Sequence, residues 1–430
     1  MLAVLGFVGT LTLITGLIHL YLWRRLVRDT TRPGRWRRAG SLLALGLAVL
    51  VPTTMVSTRS AGMSWLAWPG YVWLAVMFYL LVVLLALELP LLVVRLVGRA
   101  RGRQVGTLDS VPVTAPAAAA GPPPPTALPG GRPATDIVPD PGRRLLIARG
   151  AAIFAGLTAA GVTGYGVRTA LGPPQLDRVQ IPIARLPRAM DGLRIATVSD
   201  IHIGPLTGVG HTARIVELIN SLDADLVAVV GDLVDGTVAE LGPTAAPLAG
   251  LRARYGSFFV TGNHEYYSGA QEWVTEVQRL GLQVLVNERR EIVTPGGVLD
   301  LAGVNDPTGA TASPADGAQV GPPDGPLAGP DYDRALGDRD RDRPVVLLAH
   351  QPVQAHEAAR YGVDLQLSGH THGGQIVPFN LAVRLVQPVV SGLATVDGTQ
   401  VYVTNGAGFW GPPVRVGAPP QVSLVQLRSE

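Results

Sequence analysis

Long runs of apolar residues dominate the N-terminal part of the chain. Four of them cover residues 2–23, 39–58, 69–94 and 150–167, with at most one charged side chain in each. A helix rises about 1.5 Å per residue, so roughly 20 residues cross the ~30 Å hydrocarbon core of a bilayer. The pattern therefore predicts four transmembrane helices, three in a membrane domain at 1–103 and the fourth within 143–171.

From about residue 181 the hydrophobic pattern changes to short runs. Five runs are rich in Val, Ile, Leu and Phe, at 193–198, 226–230, 257–260, 345–348 and 364–367. Continuous apolar runs of this length are typical of strands that are buried on both faces. Helical patterns separate several of them, at 209–221, 270–281 and 353–361. The alternation predicts an α/β domain over 181–430 built from β-α-β units.

Two segments lack either pattern. Residues 104–142 are rich in Pro, Ala and Gly, a composition that cannot bury a core and predicts a disordered or semi-extended linker. Residues 306–343 are dense in Asp, Gly and Pro, and we interpret them as a flexible insertion in the α/β domain. The insertion could be a lid or a segment without a functional role, and its pattern favours neither.

Composition supports a membrane protein, since 47% of the residues are hydrophobic and only 16% are charged. The net charge of +3 hides an asymmetry: residues 1–180 hold 18 Arg and 6 acids, whereas 181–430 hold 17 Arg and 26 acids. The N-terminal arginines flank the apolar runs, so we expect them to contact anionic lipid headgroups and predict no nucleic-acid partner. Composition leaves the oligomeric state open.

The distribution of arginine predicts the orientation in the cell membrane. Arginines cluster at 24–38 and at 95–149, whereas the segment between the second and third spans holds only Arg59. Arginine-rich loops stay on the cytoplasmic side. We therefore expect a multi-pass protein whose C-terminal domain is extracytoplasmic.

Polar motifs follow all five predicted strands. They are Ser199-Asp200-Ile201-His202, Gly231-Asp232-Leu233-Val234-Asp235-Gly236, Gly262-Asn263-His264-Glu265, Ala349-His350-Gln351-Pro352 and Gly369-His370-Thr371-His372. In an open α/β sheet, ligands bind outside the carboxyl ends of the strands. We therefore expect these Asp, Asn and His side chains to converge.

Carboxylate, amide and imidazole groups together indicate a site for two divalent cations. Such ligands suit Mn, Fe or Zn, and the absence of cysteine excludes thiolate ligands. Two cations about 3.5–4 Å apart need a bridging carboxylate with further ligands on either side. The spacing does not choose among the three metals.

The ordered set of motifs resembles the calcineurin-like metallophosphoesterases over about residues 190–428. The resemblance is closest to a membrane-associated bacterial branch, which includes transmembrane proteins with a metallophosphoesterase domain. Two further matches support that branch, Gly373-Gly374-Gln375-Ile376 and a stretch from Asn405-Gly406 through Gly408-Phe409-Trp410-Gly411-Pro412-Pro413-Val414-Arg415. The resemblance implies an αββα sandwich with a di-metal site at the strand carboxyl ends.

The resemblance also implies a role for each motif residue. Asp200, His202 and His372 would bind a first metal, and Asn263, His350 and His370 a second. Asp232 would bridge them. His264 matches the family's catalytic histidine, which binds no metal, and Asp235 matches the carboxylate that orients it. Gly236 stands where the protein-phosphatase branch has Arg, which argues against a phosphoprotein phosphatase.

These features predict two-metal hydrolysis of a phosphodiester, pyrophosphate or phosphomonoester, in which activated water attacks phosphorus in line with the leaving oxygen. Tethering to a membrane favours a lipid-linked substrate, and related membrane-associated members act on UDP-diacylglucosamine, whose cytoplasmic location conflicts with the predicted orientation. The alternatives are an extracytoplasmic nucleotide phosphodiesterase or phosphatase and a non-catalytic, metal-dependent binding platform.

Neighbouring residues allow two interpretations each. Glu265 is expected to be solvated or to support the ligands, and His211 to lie on the surface at a helix start or to reach substrate phosphate. Tyr266, Tyr267 and Trp410 could line a substrate groove or pack in the interior.

Overall fold

The computed structural model describes residues 2–57, 64–105, 141–311 and 325–430. Four long helices occupy the N-terminal part: α1 (Leu2–Leu22), α2 (Arg35–Ser57), α3 (Ala67–Val105) and α4 (Pro141–Leu171). Among the described residues, three helical stretches are long and apolar enough to cross a membrane, at Arg35–Ser57, Ala67–Pro90 and Leu145–Leu171. The apolar helices are therefore confirmed, and a count of four spans stays a prediction.

The chain divides into two compact units. One takes the described residues within Met1–Leu17, Gly46–Val76 and Ala160–Glu430, and the other those within Ile18–Leu45 and Met77–Ala159. In the second unit Glu88 accepts a hydrogen bond from the hydroxyl of Tyr21 at 2.6 Å and forms an ion pair with Arg25 at 2.8 Å. These partners stabilise an acidic side chain inside a largely apolar helix.

Two six-stranded sheets form the centre of the first unit. The first has the order β1-β12-β2-β3-β4-β5, from β1 (Gln175–Ile183), β2 (Arg194–Val198), β3 (Leu226–Val230), β4 (Ser257–Val260), β5 (Gln283–Val284) and β12 (Gln421–Ser429). The second has the order β10-β11-β9-β8-β7-β6, from β6 (Glu288–Thr294), β7 (Gly297–Gly303), β8 (Val345–Leu348), β9 (Leu365–Ser368), β10 (Gly392–Val396) and β11 (Thr399–Val403). Neighbours from β2 to β5, and β7, β8, β9 and β11, run parallel.

Strand β3 carries apolar residues on both faces, because helices cover one face of its sheet and the second sheet covers the other. Val227 and Val229 pack into the core beneath helices α5 (Val209–Ser221), α6 (Val238–Ala245) and α8 (Ala270–Arg279). Leu226, Ala228 and Val230 pack into the core between the two sheets. Burial of one such aliphatic side chain contributes about 1.5–3 kcal/mol. The αββα fold class is thereby confirmed.

The outer face of the second sheet is covered by α10 (Tyr332–Leu336) and α11 (Ala355–Arg360). The helix α10 falls within the expected flexible insertion, yet Tyr332, Ala335 and Leu336 are buried against β7 and β8. The expectation of an unstructured segment is wrong for this part, because three apolar side chains spaced as on one helix face anchor it. Residues 312–324 of that insertion, and 106–140 of the expected linker, lie outside the described residues.

The first strand begins earlier than the sequence pattern predicts. β1 starts at Gln175, before the expected domain start at 181, and pairs in parallel with the whole of β12. It alternates polar and apolar residues and contains a proline, as edge strands do. The sequence signal there is therefore weaker than in the buried strands.

Candidate metal centre

The carboxyl ends of β2, β3 and β4 in one sheet meet those of β8 and β9 in the other. The loops after these strands bring together all seven residues expected to bind metal. Asp200, His202, Asp232, His350 and His372 are buried, whereas Asn263 and His370 are partly exposed. Three short helices, α7 (Asn263–Ser268), α9 (Thr308–Thr311) and α12 (Asn380–Val383), lie in the loops.

The first set of candidate ligands is Asp200, His202 and His372. His372 Nε2 lies 3.3 Å from Asp200 Oδ1 and 3.0 Å from His202 Nε2. Ligand atoms bound to one cation at 2.0–2.2 Å lie about 3.0–3.4 Å apart, so this spacing fits a single divalent ion. Burial, followed by Arg415, lowers the pKa of His372 well below its usual value, which keeps the ring neutral as a metal ligand must be.

The second set is Asp232, His350, His370 and Asn263. His350 Nε2 lies 3.1 Å from Asp232 Oδ2, and His370 Nδ1 lies 2.9 Å from Asn263 Oδ1. His350 Nδ1 donates to the carbonyl of Val230 at 2.8 Å, so Nε2 is the ring nitrogen that faces the Asp232 carboxylate. A hydrogen bond from the other ring nitrogen to a backbone carbonyl is the arrangement that orients a histidine for metal binding.

Asp232 connects the two sets. A carboxylate oxygen of Asp232 lies close to His350 and His370 on one side and to His202 and His264 on the other, where Oδ2 lies 3.8 Å from His202 Nε2. The donors therefore fit two cations that share one carboxylate, as the sequence predicts. The side chains gathered here offer carboxylate, amide and imidazole groups, which suits Mn, Fe or Zn.

Asp235 contacts two histidines through one oxygen. Its Oδ1 accepts from His264 Nδ1 at 2.6 Å and from His202 Nδ1 at 2.8 Å. Burial alone would lower the pKa of His264, but Asp232 and Asp235 outweigh burial and raise it to about 9. Its Nε2 lies 4.0 Å from Asp232 Oδ2, on the side of the candidate ligands.

Comparison with known proteins identifies the family. The calcineurin-like phosphoesterase family model matches residues 193–374. An uncharacterized metallophosphoesterase of Helicobacter pylori is 36% identical over 273 residues, which are 63% of this chain and 68% of the relative. The chain belongs to the calcineurin-like phosphoesterases.

Two vertebrate relatives extend the similarity. The transmembrane protein with metallophosphoesterase domain of Danio rerio is 35% identical over 283 residues, covering 64% of this chain and 62% of the relative. Its counterpart in Bos taurus is 37% identical over 274 residues, covering 61% and 59%. The chain thus spans about three-fifths of these relatives' length. Their names and the apolar helices together support membrane association of this calcineurin-like phosphoesterase.

Glu265 is a residue whose role the sequence motif leaves undecided. It is fully buried, and its carboxylate accepts from the backbone N–H groups of Asp232 (3.0 Å), Leu233 (2.8 Å) and Gly262 (2.6 Å). Burial, followed by the charge of Asp232, raises its pKa to about 7. Glu265 therefore joins the loops after β3 and β4, and the interpretation as a solvated residue is wrong.

Arg415 supports His372 from outside the family's matched region. The guanidinium is fully buried and donates to the His372 carbonyl at 2.7 Å, to Gly408 O at 2.6 Å and to His372 Nδ1 at 3.0 Å. Burial lowers its pKa to about 10, so it stays charged. Since a guanidinium can only donate, His372 Nδ1 accepts, and a cation at Nε2 would displace the proton there. The sequence shows Arg415 only as part of a family motif.

Backbone strain concentrates in this calcineurin-like centre. Asp200, His202, Asp232, His370 and His372 all have positive φ, between 48° and 70°. A non-glycine residue in this region costs about 1–2 kcal/mol, and such residues cluster at functional sites. Gly369 is required for a different reason, because a Cβ there would clash with Ser199 and with the Asp200 carboxylate.

The remaining candidates divide between the interior and the site. Tyr267 and Trp410 are half-exposed and flank His264, with ring centroids 5.9 and 6.1 Å away. Tyr266 is fully buried and packs in the core beside Trp273. His211 is 6% exposed on α5, so the expectation of a surface residue is wrong. Its Nε2 lacks a hydrogen-bond partner among the described residues.

Proposed function

We propose that this chain is a membrane-bound, two-metal phosphoesterase. The observation that carries the proposal is the two donor sets connected by Asp232, with the His264–Asp235 pair beside them at 2.6 Å. A non-catalytic binding platform would need the cation ligands but not an acid at that position. The His264–Asp235 pair therefore favours hydrolysis over binding alone.

Two divalent cations, Mn, Fe or Zn, would neutralise charge on the phosphoryl oxygens and lower the pKa of a water molecule. The chain's own residues do the rest. His264 donates its Nε2 proton to the leaving oxygen, a contribution of about 10²–10⁴-fold. Asp235 accepts the hydrogen bond from the second ring proton, on His264 Nδ1, at 2.6 Å, and so orients the ring and stabilises its charged form. Tyr267 and Trp410 border the approach to His264.

The substrate that we propose is a lipid-linked phosphodiester, pyrophosphate or phosphomonoester. Membrane association supports it, and Gly236 follows Asp235 where a phosphoprotein phosphatase would have Arg. A UDP-diacylglucosamine-like compound fits this class only if the domain is cytoplasmic. With the domain outside, as the arginine distribution predicts, an extracytoplasmic nucleotide is the competing substrate.

A hydrolysis panel on the full chain in lipid nanodiscs tests the function. Model diesters, monoesters, nucleotides and lipid pyrophosphates would be compared with Mn²⁺ supplied. Asp232→Asn should lower turnover by about 100-fold or more, because it weakens the shared ligand of both cations. The same change at exposed Asp397, in the β10–β11 turn, is the matched control and should have no effect.

Two results would contradict the proposal. Full turnover in Asp232→Asn with full metal content would exclude the two-metal scheme. Absence of turnover on every substrate, with two cations bound per chain, would support the binding platform.

A further inference from the structure

An exposed apolar loop lies beside the metal centre. Residues 377–386, called the apolar loop below, follow the ligand His372 and include α12. Their large side chains are exposed to 42% at Val377, 49% at Phe379, 60% at Leu381, 85% at Leu385 and 71% at Val386. Monomeric soluble proteins rarely expose so many large apolar side chains together, and such patches mark interaction sites.

The charge around the apolar loop is one-sided. Between residues 373 and 396 the chain has no Asp or Glu, and its single charged residue is the exposed Arg384. Apolar side chains beside an arginine suit the boundary between acyl chains and anionic headgroups, because the aliphatic stem stays apolar while the guanidinium meets phosphate.

Backbone hydrogen bonds connect the apolar loop to a candidate membrane span. Val377 N donates to Val416 O at 3.0 Å, and the neighbouring Arg415 N donates to Gly166 O at 3.0 Å. Gly166 lies within the span Leu145–Leu171, and a Cβ there would clash with Val414 and Val416. Only the segment that contains Arg415 and Val416 therefore lies between the apolar loop and the last turns of α4.

Chain connectivity gives the same result independently. The span ends at Leu171 and β1 begins at Gln175, so the sheet starts within about 14 Å of the span's end. Gln175 N in turn donates to Pro420 O, just after the 410–417 segment. Trp410, half-exposed, accepts at its carbonyl from Gln375 Nε2 at 2.9 Å. Tryptophan is enriched at membrane interfaces.

We propose that the apolar loop and Trp410 insert into the headgroup–acyl boundary of the bilayer that α4 enters. This second membrane contact holds the opening of the metal centre at the interface, where the phosphoester of a lipid headgroup reaches His264 without leaving the membrane. The bilayer is favoured over a protein partner because the patch is continuous with a membrane-spanning helix. Delivery of a lipid substrate to His264 rests on the proposed function, whereas insertion of the loop does not.

The experiment uses the absence of cysteine from the chain. A nitroxide would be attached to Leu385→Cys in the full chain in nanodiscs containing anionic lipid. The matched control is Val293→Cys, a 66% exposed apolar residue on the edge strand β6. Collisions with oxygen, which partitions into lipid, would be compared with collisions with a water-soluble nickel chelate.

Insertion predicts that the label at Leu385 collides with oxygen and is shielded from nickel, whereas the label at Val293 behaves as water-exposed. Equal nickel accessibility at both positions would overturn the proposal. Shielding of Leu385 from both reagents would also overturn it, because it would place a protein partner or a second copy on the loop. Neither readout requires turnover, so the result is independent of the hydrolysis panel.

A functional readout follows if the hydrolase activity is established. The double change Leu385→Asp and Val386→Asp should lower the ratio of lipid-substrate to soluble-diester turnover by about tenfold or more, because charged side chains leave the acyl boundary. An unchanged ratio would show that the loop does not deliver the substrate.

Discussion

Asp235 serves two histidines with different expected roles. It holds His202, a candidate ligand, and His264, the candidate acid, through a single oxygen. Sequence motifs assign it to His264 alone. Substitutions at these positions should therefore separate loss of the proton donor from loss of a metal.

His264→Gln should lower turnover about 10²–10⁴-fold, because the side chain that protonates the leaving oxygen is gone. Metal content should stay at two ions per chain, since His264 is not needed as a ligand. Steady-state kinetics with metal analysis of the purified full chain checks both. Loss of a cation in this variant would make His264 a ligand and refute the assignment.

Asp235→Asn should lower turnover and, in addition, weaken the first cation by about 10–100-fold, as substitution of a residue that orients a ligand does. The reason is that His202 loses the acceptor that orients its ring. Calorimetric titration with the metal would show one site of weakened affinity and one site of parental affinity. Two sites of parental affinity would contradict the shared role of Asp235.

Arg415 is a positioning residue for His372. Arg415→Lys keeps the charge but removes the planar fork, so the first cation should bind about 10–100-fold more weakly while the second is retained. The coupled electron-spin signal of a manganese pair should then be replaced by that of a single ion. Arg360→Lys, on an exposed side chain of α11, is the matched control. A coupled pair of unchanged affinity would show that the buried arginine serves the fold alone.

At the scale of elements, α5 carries a buried histidine that shapes acid stability. Burial, followed by the charge of Arg214, lowers the pKa of His211 to about 4. The unfolded chain therefore takes up this proton at higher pH than the folded chain. Stability from His211 is present above pH 6.5 and is lost as the pH falls towards 4.

His211→Gln should remove that loss, which amounts to as much as about 3 kcal/mol for one buried histidine. The difference in melting temperature between the variant and the parent should grow in the variant's favour between pH 6.5 and 4. Thermal unfolding of the full chain in detergent, followed by tryptophan fluorescence, measures it. A difference that does not depend on pH would exclude His211 as a contributor.

Element boundaries followed the hydrophobic pattern closely where strands were buried. Three of the five predicted runs match β3, β4 and β8 at both ends. The run at 193–198 begins one residue before β2, and the run at 364–367 begins and ends one residue before β9. Burial on both faces leaves no polar position to blur the pattern. The edge strand β1 and the short helix α10 have no such pattern, and only pairing and packing reveal them.

At the scale of the whole molecule, the side of the membrane determines which substrates the centre can meet. A cysteine at position 293 should react with a membrane-impermeant maleimide on intact cells if the domain is extracytoplasmic. A cysteine at exposed Arg32, between α1 and α2, should react only after permeabilisation. The reverse pattern would place the domain in the cytoplasm and favour a UDP-diacylglucosamine-like substrate.

The sequence by itself determined the apolar helices, the buried strands and the polar motif that follows each of those strands. All of these follow from local patterns, since a strand's burial and the residues that follow it are contiguous in the chain. Because parallel strands of one sheet share one direction, the polar residues after β2, β3 and β4 meet at one edge, and those after β8 and β9 meet at the edge of the other sheet. Packing of the two sheets then brings these edges together.

Only the tertiary structure decided the residues that hold those ligands. Glu265 accepts a hydrogen bond from a loop more than thirty positions away, and Arg415 binds His372 across 43 positions. The backbone N–H of Arg415 also donates to the carbonyl of Gly166, in a distant part of the chain. Such contacts depend on how two sheets and a membrane helix pack, and no periodicity along the chain encodes them. The burial of His211 and the exposure of the apolar loop were decided in the same way, by which surfaces the packed elements cover.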